Sequence, residues 1–276
     1  MAIGRTKNQV FGYIKSAMNN KLKGWRNKML SLAGKEVLIK SIILAMPNYA
    51  MACFKLPKGP CKDICKSIAN FWWGGNQQEK KVHWISWKKL ANVKGKGGLG
   101  FRDLEAFNET LLAKQLWRII SSLNLLMSKV MRAKYLTDLK ALETHPPQSA
   151  SWTWRSIQSA WNLIQKGLWK RVGDGEQVNI WKDRWVLGSK SGKVSMICPP
   201  NCHLQTVDQL IQEGGWNKEI LQQVFNQKDR EQIANMPLSV FKRQDRFFWS
   251  FSKSGIYTAK TGYANVVQAS SRDERR

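Results

Sequence analysis

The chain has 276 residues, 43% of them apolar, which is enough to bury one sizeable core or two smaller ones and argues against wholesale disorder. Its 45 Lys and Arg against 19 Asp and Glu give a formal charge of +26, which points to a polyanionic partner. Apolar runs such as Ile42 to Met46 are far short of the roughly 18 to 20 residues of a membrane span, so no membrane partner is expected.

The charge is uneven. Residues 1–60 hold eleven basic residues and one acidic, Glu36, and residues 61–100 hold eight and two, so the first hundred residues carry +16 of the total. Five Cys, an odd number without a secretory signal, imply free thiols in a reducing compartment, hence an intracellular chain, nuclear or cytoplasmic. The first 35 residues contain no acid, a feature shared with organelle transit peptides, and a mitochondrial address is the alternative.

From Val10 to Met29, apolar positions at Val10, Phe11, Ile14, Met18, Leu22, Trp25 and Met29 recur every three to four residues and predict an amphipathic helix. Lys15 and Arg26 flank that stripe on one side, Lys21 and Lys28 on the other. They read either as stems snorkelling along a core or as a basic face laid on a phosphate backbone. Glu36 to Met46 predicts a buried helix stopped by Pro47, with Glu36 and Lys40 one turn apart. Pro60 can open the next helix and Gly74 and Gly75 can close it; Cys61 and Cys65 fall on its apolar face and read as small core hydrophobes.

Gly95, Gly97 and Gly100 satisfy G-x-G-x-x-G literally, but no clean hydrophobic strand precedes them, so a flexible basic turn is expected instead of a nucleotide cradle. Around it Lys80, Lys81, Lys88, Lys89, Lys94 and Lys96 interleave with Trp84 and Trp87, a pattern suited to neutralising phosphates and stacking unpaired bases; a solvated loop beside a Trp core is the plainer alternative. Leu104 to Leu123 predicts a long helix with Asp103 as its cap, and Met127 to Leu136 a shorter one. His145 to Ser149 reads as a linker, followed by a helical stripe from Trp154 to Leu168. Gly173, Asp174 and Gly175 between two apolar runs predict a hairpin, and a second strand pair is expected around Ser252 to Gly255.

The fold class expected is mainly α with small β-hairpins (α+β), a helical N-terminal half and a Trp-rich mixed C-terminal half. Three regions are read: 1–75 basic and helical, 76–145 a Gly/Trp-rich turn with long helices, and 146–276 a Trp-rich α+β region. Most of the fourteen Trp are expected in the core, the remainder being candidates for base stacking. Cys198, Cys202 and His203 fall within loose zinc spacing but want a fourth ligand, so no metal and no cofactor is assigned. The three His form no recognisable pattern with Ser or Cys and a carboxylate, and Asp103, Glu105 and Glu109, or Asp229 and Glu231, sit at spacings suited to solvated helix faces and caps.

GWRNKMLSLAGKEVLIKSIILAMPNYAM at 24–51, FWWGG at 71–75, GGLGFRDLEAFNETLLAKQLWR at 97–118, SWTWRSI at 151–157, VGDGEQVNIWKDRW at 172–185 and SKSGIYTAKTGY at 252–263 occur in the order seen in plant LINE-type (non-LTR) retrotransposon reverse transcriptases. The chain resembles the thumb and connection that follow the polymerase core there and lead into a zinc-binding region. The sequence has no Tyr-x-Asp-Asp or Phe-x-Asp-Asp, the paired carboxylates that hold two metal ions in such polymerases. The resemblance therefore implies a non-catalytic module that binds RNA or an RNA/DNA hybrid, with the parent polyprotein's polymerase core as a further partner. The nucleic-acid-binding residues expected are Lys21, Lys23, Trp25, Arg26, Lys28, Lys35, Lys40, Lys80, Lys81, Trp84, Trp87, Lys88, Lys89, Lys94 and Lys96. A retroelement relic without present function, and a protein-interaction module reusing the fold, are the alternatives.

Overall fold

The computed structural model describes residues 7–26, 28–74, 82–92, 94–136, 138–200, 202–238 and 243–273, with Lys80 and Lys81 outside them. The described chain is mainly helical with two small antiparallel strand pairs, an α+β fold. It divides into two compact units: residues 1–119, 124–163 and 258–276 form unit 1, and residues 120–123 and 164–257 form unit 2.

Unit 1 is built on apolar helical stripes. In α1 (Lys7–Arg26) the three-to-four residue spacing turns Phe11, Ile14, Met18 and Leu22 to one side, where all four are buried. The next segment starts at α2 (Leu32–Leu38), whose orphan Gly34 amide donates to Ser31 Oγ, and runs on through a π turn (Ile39–Ile43) in which the Leu44 amide donates to the Ile39 carbonyl. Ile39, Ile43 and Leu44 are buried there, but α2 buries no residue and Val37 is 62% exposed, so the burial expected of Glu36 to Met46 holds only for its second half. After α3 (Asn48–Cys53), α4 (Lys58–Trp72) buries Cys61, Ile64, Ile68, Phe71 and Trp72 against α1, and Gly74 ends it at φ 74°.

The short α5 (Trp87–Ala91) is capped by Ser86, and α6 (Leu104–Ser121) by Asp103, whose Oδ1 accepts from the Ala106 amide at 3.0 Å. Asn108, buried on α6, ties that helix to the single segment 51–56: its Nδ2 donates to the Met51 and Phe54 carbonyls, and its Oδ1 accepts from the Leu56 amide. Such full satisfaction is what permits a buried amide. α7 (Leu126–Tyr135) and α8 (Trp152–Gln158) meet through Tyr135 stacked on Trp154 at 4.9 Å and 11°. Trp152 stacks on Phe54 and meets Phe11 edge-on, and α12 (Ala259–Asp273) returns to unit 1, where Tyr263 Oη accepts from the Asp103 amide. Between them α9 (Trp161–Gly167) carries the chain to Ile164, where unit 2 takes over.

Unit 2 departs from the predicted hairpin. β1 (Leu168–Arg171) does not pair with residues 178–181; it pairs antiparallel with the distant β4 (Arg246–Trp249), in the register Leu168 to Trp249 and Arg171 to Arg246. The reason is Asp245: its carboxylate accepts from the Gly173, Gly175 and Gln177 amides, so the Gly-Asp-Gly turn is closed by a side chain 70 residues away instead of by its own flanks. Around Ser252 to Gly255 the expected second pair is likewise only half present, since β4 pairs with β1 and residues 256–258 form no strand. β2 (Ile211–Gln212) and β3 (Gly215–Trp216) make the other ladder, ahead of α10 (Lys218–Val224) and α11 (Gln227–Ala234). The core is Val178, Ile180, Trp185, Val186, Val207, Leu210, Leu221 and Ile233. Asp229, read from sequence as part of a solvated face, is fully buried: it accepts from the Ser195 and Met196 amides, Ser195 Oγ and Asn226 Nδ2.

Candidate nucleic-acid interface

All fourteen Trp lie among the described residues, and Trp84 alone is exposed, at 80%. The others serve the two cores or their margins. Trp25, on the last turn of α1, packs against Phe71 at 6.1 Å, and Trp87 lies flat on Phe101 at 5.2 Å and 6°. An indole so covered offers a base at most its edge or its other face, whereas Trp84 presents most of its ring to solvent.

The basic residues separate in the same way. Lys21, Lys23, Lys28 and Lys89 are exposed and form no ion pair with a described carboxylate. Lys15, which flanks the α1 stripe, is held by Asp63 of α4 at 2.6 Å. Glu36 binds two lysines far apart in sequence, Lys40 at 2.6 Å and Lys94 at 2.9 Å. Those two hydrogen bonds, Lys40 first, hold the Glu36 carboxyl below its usual range. Lys40 also lies over the Phe101 ring, and Lys35 lies over Phe71 while donating to the Trp72 carbonyl at 3.5 Å. Lys35, against α4, and Lys40, over Phe101, are therefore half-buried packing residues, although Lys94 keeps 69% of its side chain exposed. Arg26 is half-buried, and its Nε has no hydrogen-bond partner among the described residues. Lys88 and Lys96 belong to described backbone, in α5 and in a 3-10 turn (Lys94–Lys96), but their side chains are outside the described set.

The glycine-rich segment is more ordered than its composition implies. Leu99 donates to the Leu90 carbonyl and Gly100 to the Asn92 carbonyl, folding the turn back on α5. Gly97 and Gly100 take φ of 76° and 72°, and a Cβ on Gly98 would collide with the Asn92 backbone. Its glycines are there for a close return of the chain, and α5 precedes them, so the pyrophosphate-cradle geometry is not built.

Between α4 and α6 a cavity of about 470 Å³ is lined by Cys61, Cys65, Lys62, Lys66, His83, Trp87, Asp103 and Glu105. Burial, followed by nearby Asp103 and Glu105, pushes both thiols up to about 12, so they stay protonated at neutral pH. Cys198 and Cys202 are half-buried and His203 exposed; burial, then Cys202, raises the Cys198 thiol. No group of three or more His, Cys, Asp or Glu that could hold a metal ion comes together among the described residues. Nor is any described helix long and apolar enough to cross a membrane.

No family model matches the chain. It is 40% identical over 145 residues to an uncharacterized mitochondrial protein of Arabidopsis thaliana, across 52% of this chain and 94% of that protein. It is also 30% identical over 267 residues to another Arabidopsis thaliana protein, named "Putative ribonuclease H protein", across 94% of this chain and 43% of that longer protein.

Proposed function

The chain belongs to the family of the Arabidopsis mitochondrial protein, and on that premise we propose that it is a retroelement-derived, non-catalytic nucleic-acid-binding module. The resemblance of its ordered motifs to LINE-type reverse transcriptases, and its alignment along nearly its whole length with part of a longer protein named for ribonuclease H, support a polyprotein origin. The finer assignment is to the thumb and connection, holding RNA or an RNA/DNA hybrid for a polymerase core. The observation that carries the binding reading is the set of exposed lysines that pair with no carboxylate among the described residues, Lys21, Lys23, Lys28 and Lys89, together with the exposed ring of Trp84, on a chain of charge +26. Lysines so placed release counterions from phosphates irrespective of sequence, while Trp84 stacks on an unpaired base. An intracellular location follows from such a partner. A mitochondrial one is the second reading, supported by the relative's name and by the acid-free first 35 residues.

The test is binding of the full chain to labelled single-stranded RNA, RNA/DNA hybrid and duplex DNA across a salt series. A thumb-like module binds hybrid or single strand above duplex DNA, with a steep salt slope. A folded chain that ignores all three at low salt sinks the proposal.

A further inference from the structure

Unit 2 contains a cleft of about 360 Å³ lined by Arg171, Arg243, Arg246, Phe247, Phe248 and Ser254, among others. We propose that it binds a phosphate group, that of a phosphodiester in a single nucleic-acid strand, between Arg171 and Arg246. This goes beyond the reading above: none of its residues belongs to the lysine and tryptophan set of unit 1.

The register of β1 and β4 sets Arg171 directly opposite Arg246. Opposed residues of an antiparallel pair have Cβ atoms roughly 4.5 to 5.5 Å apart, and like charges there repel. The repulsion has no internal remedy, because no described carboxylate forms an ion pair with either guanidinium. Asp245, next to Arg246, accepts from three backbone amides, and Asp174 accepts from the Glu176 amide. Arg243 joins the same cleft because the chain at Gly173 passes so close to it that a Cβ there would strike the Arg243 carbonyl. Guanidinium forks match the oxygens of a phosphate, and Phe247 and Phe248 supply apolar walls against which the sugar or base of the same nucleotide can lie. One bound phosphate converts the repulsion into two attractive contacts.

The experiment uses the full chain, its Arg171→Gln and Arg246→Gln variants and the double variant, titrated with a labelled 12-nucleotide single-stranded RNA and, separately, with inorganic pyrophosphate while melting is followed. The expected result is several-fold weaker RNA binding for each variant and about tenfold for the double. The slope of log affinity against log salt should fall by about 0.7 in the double variant, the value for one phosphate contact on a single strand. Without ligand the variants should melt no lower than the parent, since a repulsion has been removed; lower melting with unchanged binding assigns the arginines a structural role and overturns the proposal. Pyrophosphate protection of the parent and not of the double variant, with RNA binding unaffected, keeps the phosphate site and makes its ligand a free anion. Parent-like RNA affinity and slope in the double variant, with no pyrophosphate protection of the parent, overturns it. A Lys21, Lys23, Lys28 triple Gln variant should retain the arginine-dependent effects, so failure of the unit 1 reading is separable.

Discussion

The helices of unit 1 bury continuous stripes of apolar side chains, whereas unit 2 turns repeatedly and holds its turns with carboxylates. α1 and α4 satisfy their own backbones, so Phe11, Ile14, Ile64 and Ile68 need only be apolar and correctly spaced. In unit 2, the described residues of 172–207 contain no long element, and side chains accept from amides left over there, Asp229 and Asp245 from five of them. Loss of an apolar side chain should therefore hurt unit 1 most through a cavity, and loss of one carboxylate should hurt unit 2 comparably through unpaired amides.

The largest effect sharpens the first half of that contrast. Trp154, 1% exposed and stacked on Tyr135, should cost about 4 kcal/mol when changed to Ala, read as a lower denaturant midpoint. Next, Asp229→Ala should cost about 3 kcal/mol in unit 2, because the Ser195 and Met196 amides and Asn226 lose their acceptor. Asp229→Asn, which keeps one acceptor oxygen, should cost less; equal losses would mean that volume and not hydrogen bonding matters there.

Function should break along a different line. Trp84→Ala should weaken single-strand RNA binding by about 1 to 2 kcal/mol while leaving the melting temperature unchanged, whereas Trp87→Ala should lower melting through its stack on Phe101. The smallest effect is electrostatic. The Glu36 carboxyl is held below its ordinary value of 4.5 when folded, so its stabilisation is complete above that value and is lost as pH falls through the lower, folded one. Glu36→Gln should accordingly lower melting slightly at pH 7, with parent and variant converging as pH falls below the ordinary carboxylate range; a constant gap would show that the ion pairs with Lys40 and Lys94 are not its source.

The same contrast decides what was legible in the sequence. The stripe from Phe11 to Leu22, the stop at Pro47, the Asp103 cap and the Glu36–Lys40 pair are local, within one or two helical turns, and each is found where the spacing puts it. The Asp245 cap spans about 70 residues and the β1–β4 pairing nearly 80, so a Gly-Asp-Gly turn looked like a hairpin when its true partner was remote. Asp229 looked solvated because its spacing matches a helix cap; only the fold brings Ser195 against it. At the candidate interface, the cluster of Lys and Trp was visible, but exposure was not: Lys35 and Lys40 pack inward, while Lys21, Lys28 and Trp84 face water.

The most direct test of the account is a titration of the full chain with single-stranded RNA at low salt, following tryptophan fluorescence in the parent and in Trp84→Phe. The account predicts quenching in the parent that is largely lost in Trp84→Phe, with binding itself retained through the lysines and falling steeply as salt rises. Quenching of equal size in both proteins, or no binding by either, would contradict it.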